Sequence, residues 1–312
     1  IPGMFDGNIY RLLTRLSLPI LTGMVVQLLY NITDTFFISL IDKNDPSYIG
    51  GTGMVFPLLF FAISLASGIM TGVGSVVARA IGEKNNVSLN KAADSAFALG
   101  MFLSLLILGT GLLFAKPLVS MLGAQGAYFE RGLVYFKYMV PFAALMVALH
   151  AVAGIFQGEG KMKRIMTAMM IGTVVNVILD PIFIFVLKWE VRGAALASVA
   201  GQLIAFIYVL VSIGAKDNIV QIKWSVKDIS FKLMGEIIVI GFPMALGQMA
   251  MAISMVLFNH ILIKIDQQAM AAFTLVGRFD KGVLMPIFAL SSAMITVVGQ
   301  NAGRGNFQRI RE

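Results

Sequence analysis

Long apolar runs separated by short polar segments dominate the chain from end to end. A helix needs about 20 apolar residues to cross the hydrocarbon core of a bilayer. Eight segments qualify: residues 16–41, 49–78, 94–115, 133–156, 165–187, 193–215, 237–263 and 271–302. The second and the sixth carry no charge at all. The runs are continuous rather than alternating, which rules against transmembrane strands. The pattern predicts an all-α polytopic membrane protein, with about eight transmembrane helices and little mass outside the bilayer.

Composition agrees. Charged residues make up 13% of the chain, hydrophobic ones 58%, and the mean hydropathy is +0.86. A soluble domain carries about 25% charged residues, so lipid is the solvent this surface fits. The absence of cysteine excludes disulfides and thiolate metal sites. A formal charge of +8 raises the question of nucleic acid, but no basic run is interleaved with aromatics as such proteins require. Placement explains the charge better. Segments 1–15, 79–91, 158–164, 215–232 and 303–312 hold 15 Lys and Arg, against 6 in the segments on the opposite side. The positive-inside bias predicts a multi-pass protein of the plasma membrane with a cytoplasmic N-terminus.

The longest polar segment, 216–232, follows the sixth span, and what comes after it resembles the start of the chain. Leu16-Ser17-Leu18-Pro19 opens span 1 and Ile240-Gly241-Phe242-Pro243 opens span 7. Residues 76–85, which end span 2, share Val76, Val77, Gly82 and Asn85 with Val297, Val298, Gly303 and Asn306 in residues 297–306, which end span 8. Six spans per unit give both copies one orientation, as in a parallel repeat about an axis along the membrane normal. The expected organisation is a six-helix N-lobe over 1–215, a cytoplasmic inter-lobe linker over 216–232, and over 233–312 the first two helices of a repeated C-lobe. The repeat predicts about twelve spans for the complete protein.

Ionisable groups at membrane depth are costly and mark function. Asp34 lies in span 1 within Tyr30-Asn31-Ile32-Thr33-Asp34, and Asp180 lies in span 5 within Asn176-Val177-Ile178-Leu179-Asp180-Pro181. Each sits seven residues before the outer end of its run, so the carboxylates share a level in the outer half of the membrane. Ser198 in span 6 comes to a similar level. Asn176 is one turn from Asp180, and Gln27 two turns from Asp34. Pro181 removes a helix hydrogen bond to the carbonyl of Val177. If spans 1, 5 and 6 meet, these residues form an oxygen-rich site. Such a site suits a hard cation such as Na⁺. It also suits a proton, because desolvation favours the neutral form of a carboxyl. The competing reading is that each aspartate bonds a neighbouring helix and only fixes packing.

Other polar residues carry less. Lys137 is placed to snorkel to the outer headgroups, and His150 to hydrogen-bond between helices. Arg278, Asp280 and Lys281 cluster early in span 8, as a mutually paired group or one facing a water-filled cavity. Most of the 20 methionines pack the core. Prolines 19, 57, 141, 181, 243 and 286 fall inside the expected spans.

These residues, in this order and topology, resemble the multidrug and toxic compound extrusion (MATE) family of secondary transporters over the whole chain, corresponding to the first eight of that family's twelve spans. The resemblance is carried by Pro19, Gln27 and Tyr30 to Asp34 in span 1, and by Gly82-Glu83-Lys84-Asn85 after span 2. Asn176, Asp180 and Pro181 in span 5, Ser198 in span 6 and the end of span 8 complete it. It implies two six-helix lobes in a V that export small organic compounds by alternating access, as a monomer, driven by inward H⁺ or Na⁺ and without a cofactor. It further implies that Asp34, Asn176, Asp180 and Ser198 handle the coupling ion. Gln27, Asn31 and Tyr135 would line the same cavity, and Pro19 would bend span 1 during coupling. One branch of the family, the NorM type, carries an acid in span 7; Met251 stands at that place here, which resembles the DinF-type branch, with coupling confined to the first lobe.

Three rival readings follow from the same residues. A lipid-linked saccharide flippase of the same superfamily would show a basic cavity, whereas the buried N-lobe charges are mainly acidic. An intramembrane aspartyl enzyme would use Asp34 and Asp180 as a dyad, but Asp34 has Thr neighbours and Asp180 a Pro where a Gly is usual. A channel would show a re-entrant filter segment, and none is evident.

Overall fold

The computed structural model describes residues 3–42, 45, 47–123, 125–220, 222, 228–265 and 267–312, and no side chain at 252, 255, 256 or 259–281. The described residues are helical throughout, without strands. Helix α1 covers Ile9–Ser39, α2 Ser47–Met54, α3 Phe56–Gly82, α4 Asn86–Leu113, α5 Ala115–Ser120 and α6 Gly126–Glu159. Then come α7 (Met162–Pro181), a π-helical turn (Ile182–Val186), α8 (Glu190–Ile213), α9 (Phe231–Ile265), α10 (Gln267–Gly303) and the short α11 (Phe307–Arg311). Among the described residues eight helices are long and apolar enough to span a bilayer, as the apolar pattern predicts. Residues 278, 280 and 281, the polar cluster of span 8, lie outside the described side chains.

Helix ends depart from the apolar runs for local reasons. Helix α1 starts seven residues before its run because the Asn8 side chain accepts from Arg11 N–H and caps the first turn. Span 2 is two helices. Pro57, expected inside a span, instead occupies the first turn of α3, where its missing N–H costs no helix bond. Pro19, Pro141 and Pro243 do lie within helices. Helix α6 ends on Gly160 at φ +77°. The Lys161 N–H reaches back to the Phe156 carbonyl at 2.8 Å, and the Gly160 N–H to that of Gln157. This is a left-handed cap that glycine adopts without strain.

The ends of α3 and α10 repeat one another atom for atom. Lys84 at φ +56° and Gly305 at φ +75° occupy the left-handed position. The N–H of Asn85 returns to the Ala80 carbonyl, and that of Asn306 to the Asn301 carbonyl. Both asparagine side chains then cap the following helix, accepting from Ser88 N–H and Arg309 N–H.

Lipid offers helices little hydrophobic drive to associate, so close backbone approach takes its place. Helix α6 is the most enclosed span and packs on α3, α4 and α8. Gly154 and Gly158 face Val73 and Val77 of α3, and Gly100 of α4 faces Ala151. Helices α9 and α10 lie along α3. On the Lys/Arg-rich side, α6, α7 and the chain after α8 are tied by charge. Lys161 Nζ lies 3.1 Å from the buried Glu159 carboxylate and 3.3 Å from Asp217, and Arg164 lies 2.5 Å from Asp217. Val220 N–H donates to Glu159 Oε1 at 2.7 Å. The Arg164 guanidinium, with Lys161 beside it, holds the Asp217 carboxyl below the usual carboxylate range.

Candidate ion site among α1, α7 and α8

Glycines bring three helices together. A Cβ at Gly201 of α8 would stand 2.4 Å from the Gly172 carbonyl of α7, and one at Gly23 of α1 would stand 2.7 Å from Met169 Sδ of α7. The backbone contact at Gly201 requires glycine, whereas at Gly23 the neighbour is a flexible methionine side chain. One turn along α7 from Gly172 stands Asn176, and one turn along α8 from Gly201 stands Ser198. The crossing therefore delivers the two side chains to each other.

Asn176 Nδ2 donates to Ser198 Oγ at 3.2 Å and to Asp180 Oδ1 at 3.2 Å, along one face of α7. Tyr30 Oη and Ser198 Oγ share a hydrogen bond of 2.8 Å, which ties α1 to α8. Asp34, one turn beyond Tyr30, is 8% exposed; Asp180, Asn176 and Ser198 are at 1% or less. Tyr135 of α6 is likewise buried. Three oxygens in this cluster, Asp34 Oδ1, Asn176 Oδ1 and Asp180 Oδ2, are buried with no hydrogen-bond partner. Buried acceptors are almost always satisfied, and an orphan costs about 1–3 kcal/mol. A divalent-metal site is another matter: among the described residues no three His, Cys, Asp or Glu side chains are grouped to form one.

The structure thus joins Asn176, Asp180, Ser198 and Tyr30 by hydrogen bonds, with Asp34 buried one turn from Tyr30 on α1 and Tyr135 buried in α6. Gln27 and Asn31 stay outside the buried cluster. Both are exposed, and Asn31 Nδ2 donates to the Gln27 carbonyl at 2.8 Å. Pro19 lies about four turns of α1 from Asp34, half-buried. Tyr30 carries no role in the sequence reading, although its four-residue spacing from Asp34 puts both on one face. Lys137 is exposed, as snorkelling requires. His150 Nδ1 bonds the Met146 carbonyl of its own helix at 2.8 Å rather than a neighbouring helix.

The MatE family model matches residues 19–182 and 243–312, which include Asp34, Asn176 and Asp180 but not Ser198 of α8. The chain belongs to the MatE family. An "FAD transporter" of Shewanella oneidensis is 28% identical over 99% of this chain and 69% of its own length. "Multidrug export protein MepA" of Staphylococcus haemolyticus is 25% identical over 95% of this chain and 65% of its own. Among solved structures, a multidrug resistance MATE transporter of the MOP superfamily in an outward-facing conformation superposes with a TM-score of 0.91 at 29% identity. It covers all of this chain and 69% of that one. A MOP superfamily transporter from Pyrococcus furiosus, described as having a binding pocket of reversed polarity that suggests a different function, gives the same figures. The chain spans about two thirds of the length of these relatives. MATE proteins are multi-pass membrane transporters and not enzymes, which sets aside the aspartyl-dyad reading.

Proposed function

We propose that the chain is the ion-handling part of a secondary active exporter of small organic compounds. It works by antiport with inward H⁺ or Na⁺ through the Asp34/Asp180 site and by alternating access. The observation that carries this reading is the trio of buried, partnerless oxygens on two carboxylates and an amide, gathered from two spans. A monovalent cation or a proton entering there satisfies acceptors that the protein leaves unsatisfied, and offsets one of the two buried carboxylate charges. The ion drives a change of shape only by binding one state better than the other. Asn176 and Ser198 position the carboxylates, and Tyr135 closes the site from α6. The Lys/Arg bias supports a cytoplasmic N-terminus. The organisation into a lobe over 1–215, a linker over 216–232 and the start of a second lobe from 233 is supported by the matching ends of α3 and α10.

The relative named as an FAD transporter supports a second reading of the cargo, an anionic flavin dinucleotide in place of an organic cation. One experiment addresses both. The protein is reconstituted in liposomes with an imposed pH or Na⁺ gradient, and uptake of a fluorescent organic cation and of FAD is followed. Asp34→Asn and Asp180→Asn are each expected to abolish gradient-driven movement of whichever cargo is carried. Undiminished coupled transport in both variants sinks the assignment.

A further inference from the structure

Helix α3 meets α9 and then α10 in a seam of backbone contacts. A Cβ at Gly68 would stand 2.6 Å from the Gly241 carbonyl of α9, and one at Gly72 would stand 2.2 Å from that of Ile237. Further along α3, a Cβ at Gly82 would meet the Gln300 carbonyl of α10 at 2.1 Å, and one at Gly303 would meet the Arg79 carbonyl at 2.1 Å. Between Gly72 and Gly82, α3 thus passes from one neighbour to the other, and a cleft opens beside the first turns of α9. One part, of about 510 Å³, lies along α9, and an adjoining part of about 320 Å³ reaches Ser88 of α4. Arg79, Lys232 and Glu236 line both parts.

Each wall is a single helical face. Val76, Arg79, Ala80 and Glu83 line it from α3, and Lys232, Gly235, Glu236 and Val239 from α9, both at the spacing i, i+3, i+4, i+7. The charged ends come where the apolar spans stop, since span 2 ends at Gly82 and span 7 starts at Phe231. That is the headgroup level of the Lys/Arg-rich side. Seven residues along α9 from Lys232, about 10 Å deeper, Val239 is 73% exposed and faces the acyl chains. The four charges of the cleft balance. Arg79 pairs with Glu236, but its Nε stands 3.9 Å from Glu83, beyond hydrogen-bond length. Lys232 makes no ion pair among the described residues. One ammonium and one carboxylate therefore keep their hydrogen-bonding capacity.

A ligand complementary to this cleft carries an anion and a cation side by side on an apolar tail. A purely anionic headgroup brings nothing for Glu83 to accept and meets two carboxylates. A quaternary ammonium offers no N–H. A phosphodiester bearing a primary ammonium answers both charges with charge-assisted hydrogen bonds. We propose that the cleft is a binding site for a phospholipid of the ethanolamine class. Its phosphate lies on Lys232 and Arg79 beside the Ser88 hydroxyl, its ammonium on Glu83, and its acyl chain along Val239 and Ile240. This assignment goes beyond the transport reading and does not depend on it.

Native mass spectrometry of the detergent-purified protein tests it, with ethanolamine, choline and glycerol phospholipids of one acyl composition titrated in turn. The ethanolamine lipid is expected to be retained about tenfold more tightly than the choline lipid, the worth of one charge-assisted hydrogen bond. Glu83→Ala is expected to level the two, and Lys232→Gln to weaken both about tenfold. Both side chains are exposed, so neither change disturbs the core. Lys91→Gln removes an exposed cation of α4 that does not line the cleft, and is expected to bind as the parent does. Equal retention of the ethanolamine and choline lipids by the parent overturns the proposal, as does an ethanolamine preference that survives Glu83→Ala. Tightest retention of the glycerol phospholipid also overturns it, and gives the cleft to anionic lipid. No gradient or cargo enters this measurement, so a failure of the Asp34/Asp180 reading in the liposome assay leaves its outcome unchanged.

Discussion

Ser198 is where α1, α7 and α8 exchange hydrogen bonds, and it shows how much one hydroxyl decides. It accepts from Asn176 and bonds Tyr30, so it fixes the amide that in turn fixes Asp180. Tyr30→Phe removes the tie to α1 while leaving the Asn176 bond. A lost neutral hydrogen bond costs about 0.5–1.5 kcal/mol. The concentration of driving ion at half-maximal transport is therefore expected to rise up to about tenfold, with maximal transport kept. Ser198→Thr retains the hydroxyl and is expected to behave as the parent. A titration of transport against H⁺ or Na⁺ checks both; an unchanged midpoint in Tyr30→Phe removes Tyr30 from the site. Asp34, Asn176 and Asp180 are legible in the sequence because a carboxylate inside an apolar run is conspicuous. Tyr30 is not, since tyrosine is unremarkable in a span and its partner is 168 positions away. Asn31, also near Asp34, is exposed, with its Nδ2 bonded to the Gln27 carbonyl of its own helix.

At the scale of elements, the number and placement of spans can be read directly, because about 20 apolar residues leave no other solution in lipid. The ends cannot. They are set by single caps such as Asn8, Asn85 and Asn306, and by Pro57, which splits span 2 where hydropathy alone shows one run. The meeting of spans depends on which glycines cross, and single-span patterns do not reveal pairs such as Gly172 and Gly201. The segment after α8 gives a test in pH. Asp217 has a lower pKa folded than unfolded because of Arg164 and Lys161. Its contribution is thus fully present above the unfolded value and is lost as pH falls through the folded one. Amide hydrogen exchange over residues 216–220 is expected to stay slow from neutral pH down to the carboxylate range and to quicken below it. In Asp217→Asn protection should be weaker at neutral pH, with the step diminished. A step that persists at full size in that variant assigns it to another carboxylate.

For the whole molecule, the positive-inside bias commits to a sidedness that the fold alone does not give. Val87 and Met121 are both well exposed and sit on opposite sides of the helices. Single cysteines introduced there are expected to react oppositely with a membrane-impermeant maleimide added to intact cells. Met121→Cys should label and Val87→Cys should not, until the cells are opened. The reverse pattern inverts the molecule in the membrane.

The seam between α3 and α10 has one further consequence. Gly82 rests on the carbonyl of Gln300 while Gly303 rests on that of Arg79, and Gln300 stands in its unit where Arg79 stands in the other. Each half therefore offers its neighbour the same patch that it receives, the mark of an isologous contact between like subunits about a twofold axis. A chain that makes such a contact with itself packs there as the two subunits of a dimer would. Unlike a dimer's, its two positions are separate in the sequence, so a change at Gly82 alters one of the paired contacts and leaves the one at Gly303, and each side can drift in shape on its own.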